Sequence, residues 1–455
     1  MKIVVIGNGA LGDALISCIC NEGHSVTVVD ENVEEVNEVV NKYDVLGVCG
    51  NGASVDVQKN ADVENADVVI SVTAGDELNI LCCMIAKQLG AKHTIARVRD
   101  PRYLKQSTFM SNSLGIDMIV NPEFEAAREA SRLIRFPAAM KIEKFAKGQV
   151  EVVDISITKG HPLCDLPLIS FKSKYNTDAL VCAARRGDEA IIPGGDFVIT
   201  EGDVISIAAS RKDMTSLFKK LGIIGKQIKD VMIVGGGAIT RYLTRPLIDG
   251  GFDVKVIESS KEICLDLAEQ FPHASIICGD ATDPDLLDEE GIDQTDACVA
   301  MTSNDHTNFI ISMFAKTRNV EKVISKAGSE SFVKLSKNAG VISNITPHLL
   351  VSSKVLRYVR GLANIGEDGY LSAIKSLHRM VDGRVEAIEF DVAEDFDAVG
   401  VPLREIKIKK NVLIVAIIRE GTVIHPGGNT SLELGDGVIV MTTNEHTCDL
   451  GDILL

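Results

Sequence analysis

A chain of 455 residues exceeds one ordinary core, and at about 100–200 residues per domain it predicts three or four units. Hydrophobic residues make up 45% and charged residues 24%, a globular balance, while aromatics at 4% and the absence of Trp call for aliphatic cores like those of buried parallel sheets. The net charge of −17 excludes nucleic acid and anionic lipid as bulk partners, and the 11 cysteines, with no CxxC pair and no zinc spacing, read as packed reduced thiols.

Met1 runs straight into an apolar strand, Ile3-Val4-Val5-Ile6, without a basic leader or cleavage site. The longest apolar run, 412–418, is far below the roughly 20 residues of a membrane span, so a cytoplasmic protein with no direct membrane insertion is expected. Strands at 2–6, 25–29, 45–48, 67–72 and 94–98 alternate with helices at 10–22, 33–42 and 76–89. Such alternation predicts an α/β fold, a Rossmann-like doubly wound parallel sheet with right-handed crossovers.

Gly7-Asn8-Gly9-Ala10-Leu11-Gly12 falls between the first strand and the first helix. The first glycine permits a tight turn, the second admits a pyrophosphate to the backbone, and the third lets helix pack on strand. Asp30 ends the second strand, about 20 residues on, where a carboxylate accepts bonds from ribose hydroxyls and repels a 2′-phosphate. The pattern favours NAD(H), or ATP/ADP, over NADP(H). Five more candidates sit at the carboxyl ends of later strands: Asn51-Gly52 at the adenine end, Thr73-Ala74 near ribose or phosphate, and Arg97 for a phosphate oxygen. Thr73 and Arg97 also suit ordinary capping or solvated roles.

The chain then repeats itself. KDVMIVGGGAIT (229–240) echoes the opening strand and glycine turn, CGDATD (278–283) echoes CGNGAS (49–54), and ISKA (324–327) echoes IARV (95–98). Gly235-Gly236-Gly237-Ala238-Ile239 forms a second candidate turn, with Glu258 for Asp30, Asp280 for Asn51, Thr302 for Thr73 and Lys326 for Arg97. Thr240 replaces the third glycine and is expected to crowd the helix. A smaller repeat follows each copy: Pro193-Gly194-Gly195 with Gly202-Asp203 returns as Pro426-Gly427-Gly428 with Gly435-Asp436. Four domains follow: Rossmann-like units at 1–136 and 228–362, and small α+β units with helical tails at 137–224 and 363–455.

No catalytic or metal residue is assigned. A dehydrogenase, the rival reading, needs an acid/base group beside its substrate. The small units carry no Tyr-x-x-x-Lys and no useful His–Asp pairing, and none of the nine histidines recurs at matching positions in both copies.

The glycine turn, Asp30, Gly50-Asn51, the Thr73…Asp76-Glu77…Asn79 stretch, Ile95-Ala96-Arg97 and both Pro-Gly-Gly…Gly-Asp units together resemble the RCK/KTN potassium-conductance-regulating family over essentially the whole chain. The resemblance implies an RCK_N–RCK_C tandem and a homo-oligomer, a dimer or tetrameric ring. It also implies a TrkH-type potassium-translocating membrane protein as partner, gated by NAD(H) or ATP/ADP. Pro122-Glu123 matches a Pro-Glu that reaches a nucleotide across a dimer contact in related regulators, with Glu123 either holding a phosphate-linked metal or serving as a helix N-terminal carboxylate. The segment 99–136 resembles the family's swapped dimer arm.

Overall fold

The computed structural model describes every residue except 105, 138, 224–227, 342, 364–373, 382, 395, 445, 446 and 448. The domain boundary expected near 224 lies outside the described residues.

In the first half, β1 (Lys2–Ile6), β2 (Ser25–Asp30), β3 (Leu46–Cys49), β4 (Val68–Ser71), β5 (His93–Arg97) and β6 (Met118–Val120) form one parallel sheet. Their order is β3-β2-β1-β4-β5-β6. Ile3, Val4 and Val5 of β1 are fully buried between helix layers on both faces, as an unbroken β-branched run requires. The helices Ala10–Asn21, Val33–Tyr43 and Asp76–Leu89 fall where apolar periodicity places them. Asn32 caps the second of them by accepting from the Glu34 N–H, and Gly90, at φ 119°, ends the third. The three-residue β6 is too short to carry a period and was not anticipated.

A small antiparallel sheet follows: β7 (Lys141–Phe145), β8 (Val150–Ser156), β9 (Leu180–Arg186), β10 (Glu189–Ile191) and β11 (Val204–Ser210), in the order β10-β9-β11-β8-β7. The second half repeats both. β12 (Asp230–Val234), β13 (Asp253–Glu258), β14 (Ser275–Cys278), β15 (Ala297–Ala300), β16 (Lys322–Lys326) and β17 (Ser343–Ile345) form the second parallel sheet. β18 (Ile374–Met380), β19 (Val385–Asp391), β20 (Val412–Arg419), β21 (Thr422–Ile424) and β22 (Gly437–Thr442) form the second antiparallel one, ordered β18-β19-β22-β20-β21.

In the small units the Gly-Asp pairs make matching corners. Asp203 and Asp436 are buried, each gripped by both fork nitrogens of an arginine: Arg186 at 2.9 and 2.7 Å, Arg419 at 2.9 and 2.8 Å. Among the described residues the expected helical tail is found in the first unit alone, as Arg211–Leu221 capped by Ser210. In the second, the described tail contains a single short 3₁₀ turn at Gly451–Ile453, because Asp449 and Asp452 bond the local backbone instead.

The halves interlock. The helix Pro122–Arg135 leaves the first sheet, yet its Ala126, Ala130 and Leu133 are buried with Val231, Ile239 and Leu243 of the second half. Reciprocally, Val351, Val355 and Val359 of the helix Pro347–Ala363 join Leu11, Leu15 and Ile19 in the first core. The arm exchange implied by the family resemblance is thus made here between two halves of one chain. The two antiparallel sheets also share a core, in which Phe145, Val152 and Cys182 meet Met380, Ala387 and Met441.

Candidate nucleotide site

The first glycine turn is built on backbone demands. Gly7 has φ 99° and lies so close to β4's exit that a Cβ would stand 2.8 Å from the Thr73 nitrogen. Gly9 is the extended N-cap of the helix Ala10–Asn21, leaving that helix's first N–H groups directed outward. A Cβ on Gly12 would stand 2.2 Å from the Gly7 carbonyl oxygen, so only glycine allows the helix to seat. Leu11 turns into the core, while Gly9 and Ala10 are exposed.

Asp30 is clamped by the turn it serves. Its Oδ2 accepts from the Asn8 N–H at 2.7 Å and its Oδ1 from the Asn32 N–H at 2.9 Å. Each oxygen retains lone-pair capacity for a ribose hydroxyl. Asn51 folds onto its own loop, Oδ1 accepting from the Ala53 N–H at 2.8 Å. Gly52 is buried against Ile6, and its carbonyl accepts from Gln58 at 2.7 Å.

Thr73 is held by a residue to which sequence reasoning gave no task. The buried Asn79 Oδ1 accepts from both the N–H and the hydroxyl of Thr73 at 2.7 Å, while its Nδ2 donates to the Thr73 and Arg97 carbonyls at 3.1 and 3.0 Å. Asn308 repeats this with Thr302 and Lys326. Recurrence of Asn six residues after Thr in both copies was the available signal. Asp76 likewise pins the turn after β5, accepting the Arg99 and Asp100 N–H groups at 2.8 Å each, and the Ala74 carbonyl accepts from Arg99.

Arg97 and Glu123 form an ion pair at 3.1 Å, one strand beyond Thr73. Arg97 Nε and Glu123 Oε2 are both buried without a hydrogen-bond partner among the described residues, which leaves one donor and one acceptor unused there. Glu123 begins the exchanged helix, whose neighbouring Phe124 stacks edge-on against Tyr242 of the second half at 5.5 Å.

The second turn keeps the same backbone. Gly235 has φ 99° and Gly237 is again the extended N-cap, followed by exposed Ala238 and buried Ile239. Thr240 does not crowd the contact as expected; it is fully buried and its hydroxyl donates to the Gly235 carbonyl at 2.5 Å. Glu258 accepts from the Gly236 and Ser260 N–H groups at 2.6 and 2.7 Å. Burial raises its carboxyl, but those backbone donors more than offset this and hold it below its ordinary value. A side chain at 236 would collide with Ile263 and with Glu258 itself, so the longer acid goes with glycine at this position. Asp280 accepts from the Thr282 N–H and hydroxyl at 2.9 and 2.8 Å. Lys326 folds back onto the Thr302 carbonyl at 2.9 Å, and burial lowers its ammonium against the pull of Asp305 and Glu123.

Comparison with known proteins agrees with this arrangement. The TrkA-N domain model matches residues 3–122 and 231–347, and the TrkA-C domain model matches 152–222 and 387–454. A Trk system potassium uptake protein TrkA homolog of Archaeoglobus fulgidus is 31% identical over 97% of this chain and 97% of its own length. The Trk system potassium uptake protein TrkA of Vibrio alginolyticus is 30% identical over 98% and 96%. Among solved structures, the GsuK channel aligns with a TM-score of 0.65 at 17% identity, covering 98% of this chain and 77% of that one. The GsuK channel bound to NAD aligns with a TM-score of 0.63, also at 17% identity. Two glycine turns clamped by acids, two Gly-Asp corners and full-length identity of this order place the chain in the TrkA family of Trk system potassium uptake proteins.

Proposed function

We propose that this protein is the nucleotide-binding regulatory subunit of a Trk-type potassium uptake system, working at the cytoplasmic face of the membrane on a TrkH-type translocating partner. Among the described residues no helix is long and apolar enough to cross a membrane, so in this reading the pore belongs to the partner. The observation that carries the proposal is the first glycine turn, with Asp30 clamped at its mouth and the helix of the other half docked along its helix.

The ligand is NAD(H) or ATP/ADP. Its diphosphate lies over Gly7, Asn8, Gly9, Ala10, Leu11 and Gly12, and its ribose meets Asp30. Asn51-Gly52 and Thr73-Ala74 flank the nucleoside, with Arg97 and Glu123 at the far end. The second turn, Gly235 to Ile239 with Glu258, Asp280 and Thr302, is a second site of the same kind. The four units are 1–136, 137–224, 228–362 and 363–455. The chain is a regulator and not an enzyme, and it assembles with further copies into a ring.

Ligand moves the ring only through its differential affinity for two arrangements of the halves, and about 100-fold supplies roughly 2.7 kcal/mol. The exchanged helices are the parts that couple one site to the other half. Calorimetric titration of wild type and Asp30→Ala with ADP and NADH tests the reading: wild type gives heat, and the variant binds at least tenfold more weakly. Absence of heat from wild type with every adenine nucleotide sinks it.

A further inference from the structure

The two exchanged helices run side by side, and the first strand of each small unit lies across them. Between them is a cleft, partly open to solvent, with a cavity volume of about 90 Å³. In a protein of net charge −17, six Lys and Arg side chains line this cleft against three Glu.

The internal twofold explains the excess. Pro122 and Pro347 start the helices, so Arg132 corresponds to Arg357 and Glu129 to Lys354. Phe145 pairs with Val150 as Met380 pairs with Val385, so Glu143 corresponds to His378. In the first half Arg132 is neutralised by Glu129 at 3.2 Å, with Glu143 at 3.9 Å. In the second half both acids have become bases, and Arg357 forms no hydrogen bond or ion pair with any described residue.

The three carboxylates do not make up the deficit, because each already serves another base. Glu125 holds Lys354 and Arg128 at 2.8 Å each, Glu129 holds Arg132, and Glu143 meets His378 at 2.8 Å and Lys141 at 3.5 Å. Burial depresses the Arg357 guanidinium against the pull of Glu143 and Glu125. A half-buried guanidinium with no carboxylate in ion-pair contact among the described residues is costly, and its planar fork matches the oxygens of a phosphate.

We propose that this cleft is a ligand site, separate from both glycine turns, for a small phosphate-bearing anion that pairs with Arg357. Lys354, held by Glu125, and Arg379, 3.7 Å from Glu386 and 4.0 Å from Glu22, line the same cleft, and the ligand's charge replaces the acids that the second half lacks. Because the cleft is walled by both exchanged helices and by β7 and β18, an anion there bridges both halves and both small units. This makes it an effector position rather than a second nucleotide cradle.

The test uses the full-length protein, with thermal unfolding and calorimetry in phosphate and in pyrophosphate against chloride at matched ionic strength. Wild type is expected to melt higher with phosphate or pyrophosphate. Tighter pyrophosphate than phosphate binding identifies a longer phosphate chain as the natural group; the reverse identifies free phosphate. Arg357→Leu is expected to lose the shift, with affinity down at least tenfold, and to melt no lower than wild type in chloride, since it removes an unpaired charge. Arg357→Lys keeps the charge without the fork and binds several-fold more weakly. A phosphate shift that survives Arg357→Leu assigns the anion to the glycine turns and overturns the proposal. So does a lower melting point of that variant in chloride, or wild type that responds to neither anion.

Discussion

Gly12 and Thr240 occupy the same place in the repeat and answer to opposite constraints. With the first helix seated, a methyl group at 12 meets the Gly7 carbonyl at 2.2 Å. Gly12→Ala should therefore cost about 2–3 kcal/mol and shift the helix that faces the phosphates, read as a lower melting point together with lost nucleotide binding. Thr240→Gly removes the hydroxyl bond to Gly235 and should cost about 1–2 kcal/mol by the same measurement. Lys322 is a second residue whose surroundings govern its behaviour. It is buried, donates to the Pro137 and Ala139 carbonyls at 3.0 and 2.7 Å, and burial lowers its ammonium from 10.5 to about 7. Between those values the unfolded chain holds the proton and the folded chain does not, so this residue adds stability as pH rises from about 7 to 10.5. Relative to Lys322→Met, wild type should gain on the order of 5 kcal/mol across that window in denaturant titrations.

Among the elements, the loop after each fourth strand depends on one side chain. Asn79 joins the end of β4 to the end of β5 through Thr73 and Arg97, all inside the first half. Asn79→Ala strands buried backbone groups on both strands and should cost about 2–4 kcal/mol, with nucleotide affinity falling as Thr73 loses its position. Asn308→Ala should cost a similar amount while leaving the first site's affinity unchanged, which separates the two halves in one experiment. The parallel strands and their helices were legible because each carries a strong local period: β1 reads as a continuous Val/Ile run and the helix Val33–Tyr43 opens on a capping Asn. The second unit's expected helical tail failed because its local Asp–backbone bonds compete with a helix, and a repeat carries no guarantee of that detail.

At the scale of the molecule, the exchange of helices makes the two halves one structural body. Arg360, 2% exposed, joins Glu22 of the first half at 2.8 and 2.5 Å to Glu386 of the last unit at 2.9 and 3.1 Å. Those two carboxylates hold its guanidinium charged despite burial. Arg360→Leu leaves the two carboxylates with Arg379, 4.0 Å from Glu22 and 3.7 Å from Glu386, in place of their closer partner and should cost about 3–5 kcal/mol. Because the ion pair crosses halves, the loss should appear in whole-chain unfolding as a single lowered transition rather than in one half alone.

The sequence by itself determined the four-unit order, the two parallel sheets, the small α+β character of the units that follow them, and the place of an acid after each glycine turn. Each of these rests on short-range chemistry: strand and helix periods, glycines that no other residue replaces, and a repeat that aligns copy with copy. Only the tertiary structure decided that Asn79 holds Thr73, that Arg97 pairs with Glu123, that each Rossmann-like unit lends its last helix to the other, and that Arg357 has no ion-pair contact among the described residues. Those outcomes depend on which buried groups meet, across separations that run from 6 residues for Asn79 and Thr73 to 26 for Arg97 and Glu123 and beyond. Local pattern carries no information about distance in space, and a polar group's partner is fixed only when the folded core leaves it no water.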